Sequence, residues 1–221
     1  MWCVAKIDNE YIRRMEDVLR VYNKPENKEE PVICLDEKPL VLHADVRPVQ
    51  AGKSGVVKKR DSEYKRKGTA NAFMAVLPKA GIRHVQVTER RTAKDFAKFL
   101  NKLAKKYIHA KKIHLIMDNL NTHKEKSLTD YYGKTRGSQI WKRFKVHFTP
   151  VHGSWLNMAE LELSVLSRQA LGNARIPDLE IMNNHLTAWQ NARNKTKATI
   201  DWTFTNKDAR RVFKYDTEKV I

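Results

Sequence analysis

The sequence predicts an α/β fold in which a mixed β-sheet is flanked by helices. Short apolar runs of strand length recur along the chain, at residues 31–35, 70–77, 85–88, 113–117 and 144–148. Segments with apolar residues at helical spacing lie before, between and after these runs. The chain has 221 residues, which is enough for one sizeable domain with a full core.

The N-terminal part of the chain is predicted to hold one helix and a charged linker. Apolar side chains follow helical spacing through residues 8–22, and Pro25 ends the segment. Residues 1–30 are therefore predicted to be a connecting helix and linker, and residues 31–221 to form the main domain.

The first strand is predicted from an almost uniformly apolar run. Residues 31–35 form this run, which closes at Asp36, and residues 40–44 are its candidate hairpin partner. Residues 50–67 are polar, contain glycine and are strongly basic, which predicts a loop or an extended hairpin.

The middle of the chain follows a strand–helix–strand order. Thr92 and Asp95 have the spacing of a capping box and open a helix, and the next strand is residues 113–117. This order predicts a crossover onto a neighbouring parallel strand. Residues 124–132 are predicted to form a short helix, and residues 133–142 a basic loop.

The last strand leads into a loop rich in Pro, Gly, His and Ser. Asn157, at the end of this loop, is a good helix N-cap, so a helix is predicted over residues 158–169 with Glu160 in its first turn. Residues 178–191 are predicted to form another helix. A capping box at residues 205–208 opens a short last helix.

Basic residues dominate the charge balance. Lys and Arg number 43 against 25 Asp and Glu, a net charge of +18, which predicts a polyanion such as nucleic acid as partner. A ribosomal-type structural protein, or a basic protein that merely avoids aggregation, is the alternative. Five Trp and seven Phe indicate a packed core and argue against a disordered basic tail.

The basic segment within residues 50–67 is a candidate surface for phosphate contacts. A solvated charged loop is the alternative interpretation of this segment. The residues predicted to contact the DNA backbone are Lys58, Lys59, Arg60, Lys65, Arg66 and Lys67.

Cysteine content and hydropathy exclude several classes of protein. Cys3 and Cys34 have neither metal-ligand spacing nor the pattern of a disulfide framework, and Cys34 is expected to be a small buried residue in a strand. The longest apolar runs are far shorter than the ~20 residues of a membrane span. No signal peptide is recognisable, so a soluble intracellular protein is expected.

Three acidic residues stand where strands end or a helix begins. Asp36 and Asp118 follow apolar runs, and Glu160 lies in a first helical turn. Each has an ordinary alternative role as a turn residue or as an acid favoured by the helix dipole. Together they predict a site for Mg²⁺ or Mn²⁺, because clustered carboxylates need a cation. Glu162 is excluded because it points ~200° away around the helix.

Three sequence blocks carry a resemblance to a known family. Residues 34–39, 117–123 and 152–160 resemble the three blocks of the DDE transposases of the IS630 group, in the IS630/Tc1/mariner superfamily. The similarity runs from about residue 15 to about residue 211. It implies an RNase H-like fold and a DDE catalytic domain over residues 31–221. It also implies DNA cleavage at transposon ends with two Mg²⁺ or Mn²⁺ ions, and strand transfer, commonly into a TA target.

The resemblance also assigns residues to the site. It implies Asp36, Asp118 and Glu160 as the catalytic, metal-binding triad. Other polar residues of the blocks are candidates for supporting the triad or for contacting DNA, with turn formation, helix capping and loop shaping as the alternatives. These residues are Asn119, Asn121, His123, His152 and Ser154.

The chain departs from the family pattern in one respect. Family members carry a helix-turn-helix region before the catalytic domain, and this sequence lacks it. The expected function is a transposase catalytic domain that acts as a homodimer or larger assembly on DNA, in the cytoplasm and associated with the nucleoid. The alternatives are a truncated DNA-binding remnant without catalysis and a nuclease acting on RNA–DNA hybrids.

Overall fold

A computed structural model describes residues 7–48 and 61–215, and within these ranges it contains five strands and seven α-helices. The strands are β1 (Val32–Asp45), β2 (Tyr64–Leu77), β3 (Ile82–Thr88), β4 (Ile113–Met117) and β5 (Phe144–Phe148). The helices are α1 (Asn9–Asn23), α2 (Ala93–Lys106), α3 (Glu125–Tyr132), α4 (Lys134–Trp141), α5 (Met158–Leu166), α6 (Leu179–Lys195) and α7 (Asn206–Phe213). The predicted mixed sheet flanked by helices is confirmed.

The five strands form one sheet in the order β3-β2-β1-β4-β5. β2 pairs antiparallel with β1 and β3, whereas β4 pairs parallel with β1 and β5. The predicted crossover through α2 does connect two parallel strands, but the prediction that these strands are neighbours is wrong. β3 and β4 run in the same direction, but β2 and β1 lie between them, so the connection spans half the sheet.

The prediction of a short strand and a separate hairpin partner is also wrong. Residues 31–35 and 40–44 belong to the single strand β1, whose true partner is β2. The pairing of β1 with β4 ends at Cys34. In the described sheet, the later residues of β1 pair with β2. Pro39 is tolerated there because it lies at an open edge. A bulge between Leu42 and His43 shifts the register.

Helices cover both faces of the sheet. On one face, α2 packs Phe96, Phe99 and Leu100 against the strands. The other face is covered by α1, α5 and α6, whose apolar residues form two adjoining clusters. The helix predicted at residues 8–22 is therefore part of the core, and the division of the chain at residue 30 stays a prediction. Cys34 is buried on this face, as predicted.

The region predicted as a basic loop over residues 133–142 is mainly helical. Gly133, at φ +83°, separates α3 from α4, so the two helices form a tight pair. Gly137 makes this pair possible, because a Cβ atom there would lie 2.5 Å from the backbone of Thr129. Charge content alone did not distinguish an exposed helix from a loop.

The helix starts predicted from local sequence are confirmed. Thr92 and Thr205 each form a capping box with the acid three residues later. Asp178 caps α6 through the backbone N–H of Ile181. In the ranges 7–48 and 61–215, no helix has the length and apolar character needed to cross a membrane.

Candidate active site

The parallel pair β1 and β4 brings two of the predicted acids to one end of the sheet. Cys34 lies opposite Ile116 in this pair, so Asp36 and Asp118 follow at the same level, two residues further along. Side chains alternate between faces along a strand. Asp36 therefore belongs to the face on which Cys34 packs, which is the face covered by α5, and Asp118 follows directly after the end of β4.

The third acid, Glu160, is exposed in the first turn of α5, and Asn157 fixes where this helix begins. Asn157 is buried, and its side-chain amide makes two hydrogen bonds. Its Oδ1 accepts a hydrogen bond from the backbone N–H of Ala159 at 3.1 Å, and its Nδ2 donates to the carbonyl oxygen of Leu35 at 2.8 Å. Because Leu35 precedes Asp36, one side chain connects the start of α5 to the strand that carries the first acid.

Helix α1 also contacts the loop that precedes α5. The hydroxyl group of Tyr22 donates a hydrogen bond to the carbonyl oxygen of Leu156 at 2.6 Å and accepts one from the N–H of Met158 at 3.4 Å. Tyr22 is buried beside Cys34. The loop before α5 is therefore held by a strand on one side and by α1 on the other.

The amide of Asn157 gives a testable stability prediction. Asn157→Asp keeps the capping oxygen but places a carboxylate oxygen against the Leu35 carbonyl in place of a donor. We expect the free energy of unfolding to fall by about 1–3 kcal/mol, because a buried acceptor loses its partner. Urea denaturation measures this change. The matched control is Asp178→Asn at the cap of α6, which keeps its capping oxygen and should change stability by less than about 0.5 kcal/mol.

The pKa of Asp36 responds to burial and to the charges of other acids. Burial and, after it, the charges of Asp118, Glu37 and Glu160 together raise the pKa of Asp36 to about 7, although a hydrogen bond from the Glu37 N–H acts in the opposite direction. A bound divalent cation relieves the repulsion within such a cluster of carboxylates. The donor set of carboxylate oxygens suits Mg²⁺ or Mn²⁺.

His123 connects Asp118 to an acid that sequence reasoning missed. The imidazole is fully buried, with Nδ1 at 2.6 Å from Asp118 Oδ1 and Nε2 at 2.7 Å from Glu37 Oε1. Burial alone lowers the pKa of His123, but the hydrogen bonds to Asp118 and Glu37 outweigh it and raise the pKa to about 9. The ring also packs against Phe96 of α2, with centroids 4.6 Å apart.

The position of Glu37 next to Asp36 was the available indication of this contact. Glu37 lies on the face of β1 opposite to Asp36, and its side chain is 3% exposed. His123 reaches both faces because β4 ends at Met117 and leaves the edge open. His123 is not the N-cap residue of α3, because that position is occupied by Lys124.

The remaining residues predicted to support the site lie around it on the surface. Asn119 and Asn121 are exposed in the loop after β4, and Asn121 Oδ1 lies 3.5 Å from Lys124 Nζ. His152 is exposed at φ +60°, and Ser154 begins the short 3₁₀ helix Ser154–Leu156. Their roles toward Asp118 or DNA stay predictions.

Half of the predicted DNA-backbone residues fall within the described part of the chain. Lys65, Arg66 and Lys67 are exposed on β2, so this part of the segment agrees with the predicted extended hairpin and not with the loop. Lys65 and Arg66 pair with Ala44 and His43 of β1 in a two-stranded extension of the sheet, and Lys67 lies at the bulge. Lys58, Lys59, Arg60 and Cys3 lie outside the described residues.

The second acid of α5, Glu162, forms a buried ionic cluster instead of joining the site. Its carboxylate lies 2.9 Å from Arg83 Nη2 of β3 and 2.9 Å from Arg193 Nε of α6. Burial by itself raises the pKa of Glu162, but the hydrogen bonds and charges of the two arginines outweigh it and hold the pKa below 4.5. The predicted separation of Glu162 from Glu160 around the helix agrees with this arrangement.

The described ranges 7–48 and 61–215 contain no three His, Cys, Asp or Glu residues arranged closely enough to hold a metal ion. Asp118 instead directs one oxygen at His123. Binding of an ion would therefore require Asp36, Asp118 and Glu160 to approach one another more closely than they do here.

A family comparison decides the class of the protein. The family described as "DDE superfamily endonuclease" matches residues 31–183, more than half of the chain. The chain belongs to the DDE superfamily of endonucleases. The DDE membership and enzyme class predicted from the sequence blocks are confirmed. The comparison with curated proteins found no match.

Solved structures of the Mos1 mariner transposase are similar to this DDE endonuclease. Its paired end complex with Mn is 14% identical, with a TM-score of 0.57 over 90% of this chain and 60% of that chain. Its strand transfer complex is 14% identical, with a TM-score of 0.58 over 90% and 59%. Its catalytic domain with raltegravir and Mg is 12% identical, with a TM-score of 0.53 over 88% and 95%.

These similarities establish the fold. The RNase H-like sheet implied by the sequence resemblance is confirmed. The chain spans about three fifths of the length of the first two Mos1 chains.

Proposed function

We propose that this DDE endonuclease is the catalytic domain of a transposase that cleaves DNA and transfers strands with the help of divalent metal ions. The proposal is supported by the register of β1 and β4, which brings Asp36 and Asp118 to the same end of the sheet, and by the charges of Asp118 and Glu160, which raise the pKa of Asp36. The net charge of +18 supports a nucleic-acid substrate.

Each acid has a defined role in this proposal. Asp36, Asp118 and Glu160 would hold two Mg²⁺ or Mn²⁺ ions, and Asn157 keeps the helix start beside β1. His123 holds the carboxylate of Asp118 in place through a hydrogen bond. When bound, paired divalent ions activate the attacking oxygen and stabilise the leaving oxygen in phosphodiester chemistry.

The similar Mos1 structures support a proposal for the DNA partners and the metal ions of this chain. They include a paired-end complex with the left transposon end, a strand transfer complex, and paired-end complexes with Mn and with Mg. By analogy, the partners proposed for this chain are transposon-end and target DNA, with a TA target as the expectation from the resemblance. Assembly as a homodimer or larger complex on DNA is part of the same proposal.

Nicking of supercoiled plasmid tests the proposed function. Purified protein should nick the plasmid with Mg²⁺ or Mn²⁺ and not with EDTA, and Glu160→Gln should abolish nicking because it removes a charged oxygen ligand. The matched control is Glu180→Gln, an exposed first-turn acid of α6, which should nick normally.

The two alternatives predict different outcomes in the same assay. A DNA-binding remnant would bind the plasmid and leave it intact with every metal. A hybrid-specific nuclease would cut RNA–DNA duplexes and spare DNA. Either outcome would contradict the proposed transposase activity.

A further inference from the structure

One surface outside the carboxylate site combines fixed cations with an exposed aromatic ring. We define the lysine–tyrosine face as Lys94, Lys98 and Lys102 of α2 together with Tyr131 of α3. The three lysines are exposed and follow i, i+4, i+8 spacing, so they lie along one side of the helix. Tyr131 is 39% exposed beside them.

The ring of Tyr131 holds two of these lysines in place. The Nζ atoms of Lys94 and Lys98 lie 5.6 and 5.7 Å from its centroid, within cation–π distance. Tyr131 in turn packs edge-on against Tyr132, whose hydroxyl accepts a hydrogen bond from Asn101 of α2 at 3.1 Å. The two ammonium groups are therefore positioned before any ligand arrives, which reduces the entropy lost on binding.

These lysines differ from many other basic residues of the protein in having no acidic partner. Within residues 7–48 and 61–215, no carboxylate lies within ion-pair distance of Lys94, Lys98 or Lys102. By contrast, acids accompany Arg13, Arg14, Arg20, Lys111, Lys126, Arg175, Arg193, Arg210 and Arg211. The face thus offers uncompensated positive charge, which favours an anionic partner.

The spacing and position of the face indicate the kind of anion. Successive lysines at i, i+4 lie about 6 Å apart along the helix, so the three ammonium groups form a row of positive charge that can follow the regularly spaced phosphates of a DNA strand. The N-terminal end of α2 lies at the candidate active site, because Phe96 packs against His123 and His123 contacts Asp118. DNA that reaches the acids can therefore continue over α2.

We infer that the lysine–tyrosine face binds the phosphate backbone of double-stranded DNA beyond the cleavage position. The inference rests on the proposed function for its substrate, but it assigns a second contact surface, on the opposite side of the sheet from α5. The contact is independent of base sequence, because lysine ammonium groups that bind phosphates do not distinguish one base from another.

Binding without metal tests this surface separately from catalysis. Fluorescence anisotropy with a labelled DNA duplex in EDTA, over a range of salt concentrations, compares K94Q/K98Q with the wild type. We expect the slope of log affinity against log salt to become shallower by about 1.8, and affinity near 0.1 M salt to fall at least about tenfold. Both residues are exposed, so folding should be unaffected.

A matched control separates local contacts from the overall charge. K28Q/K197Q removes the same charge from exposed lysines beside the 860 Å³ cavity at the other end of the sheet, and it should bind nearly as the wild type does. Equal losses in affinity and slope for the two double variants would overturn the inference. Tighter binding of duplex RNA than duplex DNA through this face would overturn it as well.

Tyr131 provides an independent variant. Tyr131→Leu should lower affinity about three- to fivefold with little change in the salt slope, because the cations remain but lose the ring that positions them. Tyr131→Phe keeps the ring and should bind normally. If the wild-type protein does not nick plasmid but K94Q/K98Q binds DNA more weakly than K28Q/K197Q, only the proposed function is contradicted. If the wild-type protein nicks plasmid but the two double variants bind DNA equally, only this inference is contradicted.

Discussion

Asp118→Asn is expected to abolish metal-dependent plasmid nicking while leaving the protein folded. The substitution removes a negative charge from the centre of the candidate site, and an amide oxygen is a much weaker ligand for a hard divalent cation. We expect the nicking rate to fall by at least about a thousandfold, since metal ions contribute several kcal/mol to such reactions.

The surroundings of Asp118 make this substitution a clean test. Asparagine keeps an oxygen that can accept the hydrogen bond of His123 Nδ1, now 2.6 Å from Asp118 Oδ1. The protein should therefore remain folded, because Glu37 still accompanies the imidazole at 2.7 Å from Nε2. Asp130→Asn is the matched control, because Asp130 is exposed on α3 and paired with Lys126, and its loss should leave nicking intact. Persistent nicking by Asp118→Asn would remove Asp118 from the proposed triad.

Glu162→Gln is expected to have the largest effect on stability. Glu162 and Arg83 are 1% and 0% exposed, so neutralising the acid leaves a buried guanidinium without its counter-ion. Breaking a buried ion pair in this way costs about 3–5 kcal/mol. Urea denaturation at neutral pH measures the change, and Glu180→Gln on the surface of α6 should change stability by less than about 0.5 kcal/mol.

The pH dependence of this effect has a definite sign. The folded-state pKa of Glu162 lies below its ordinary value of 4.5, so its contribution to stability is fully present above that value. The contribution is lost as the pH falls through the lowered folded-state pKa. The stability difference between wild type and Glu162→Gln should therefore stay constant from neutral pH to about pH 5.5 and shrink below pH 4.5. A constant difference throughout the acid range would argue against an ionised Glu162.

The sequence predicted features that depend on neighbours along the chain. Asn157 was recognised as a helix cap because capping chemistry depends on the residue itself and the next turn. Asp36 and Asp118 were located because each follows an apolar strand. The resemblance of the three sequence blocks added the family and the RNase H-like fold, which the comparisons confirm.

Other features depend on contacts between distant parts of the chain. The bond between His123 and Glu37 joins residues 86 positions apart, and the pair Arg83–Glu162 joins residues 79 positions apart. The local sequence around these residues does not indicate which distant residue each one contacts. The continuous strand β1 was divided in the prediction because Asp36 and Pro39 look like strand terminators until the long partner β2 is known.

The two-stranded end of the sheet has a mechanical consequence. β3 reaches only as far as Asn71 on β2, so beyond that point β1 and β2 form a ribbon of two strands. Such a ribbon is less stiff in bending and twisting than the five-stranded body. Arg175 braces it with hydrogen bonds to Asp45 and to three backbone carbonyls. Elastic compliance is therefore concentrated in the part that presents Lys65, Arg66 and Lys67, and amide hydrogens there should exchange faster than those of β4.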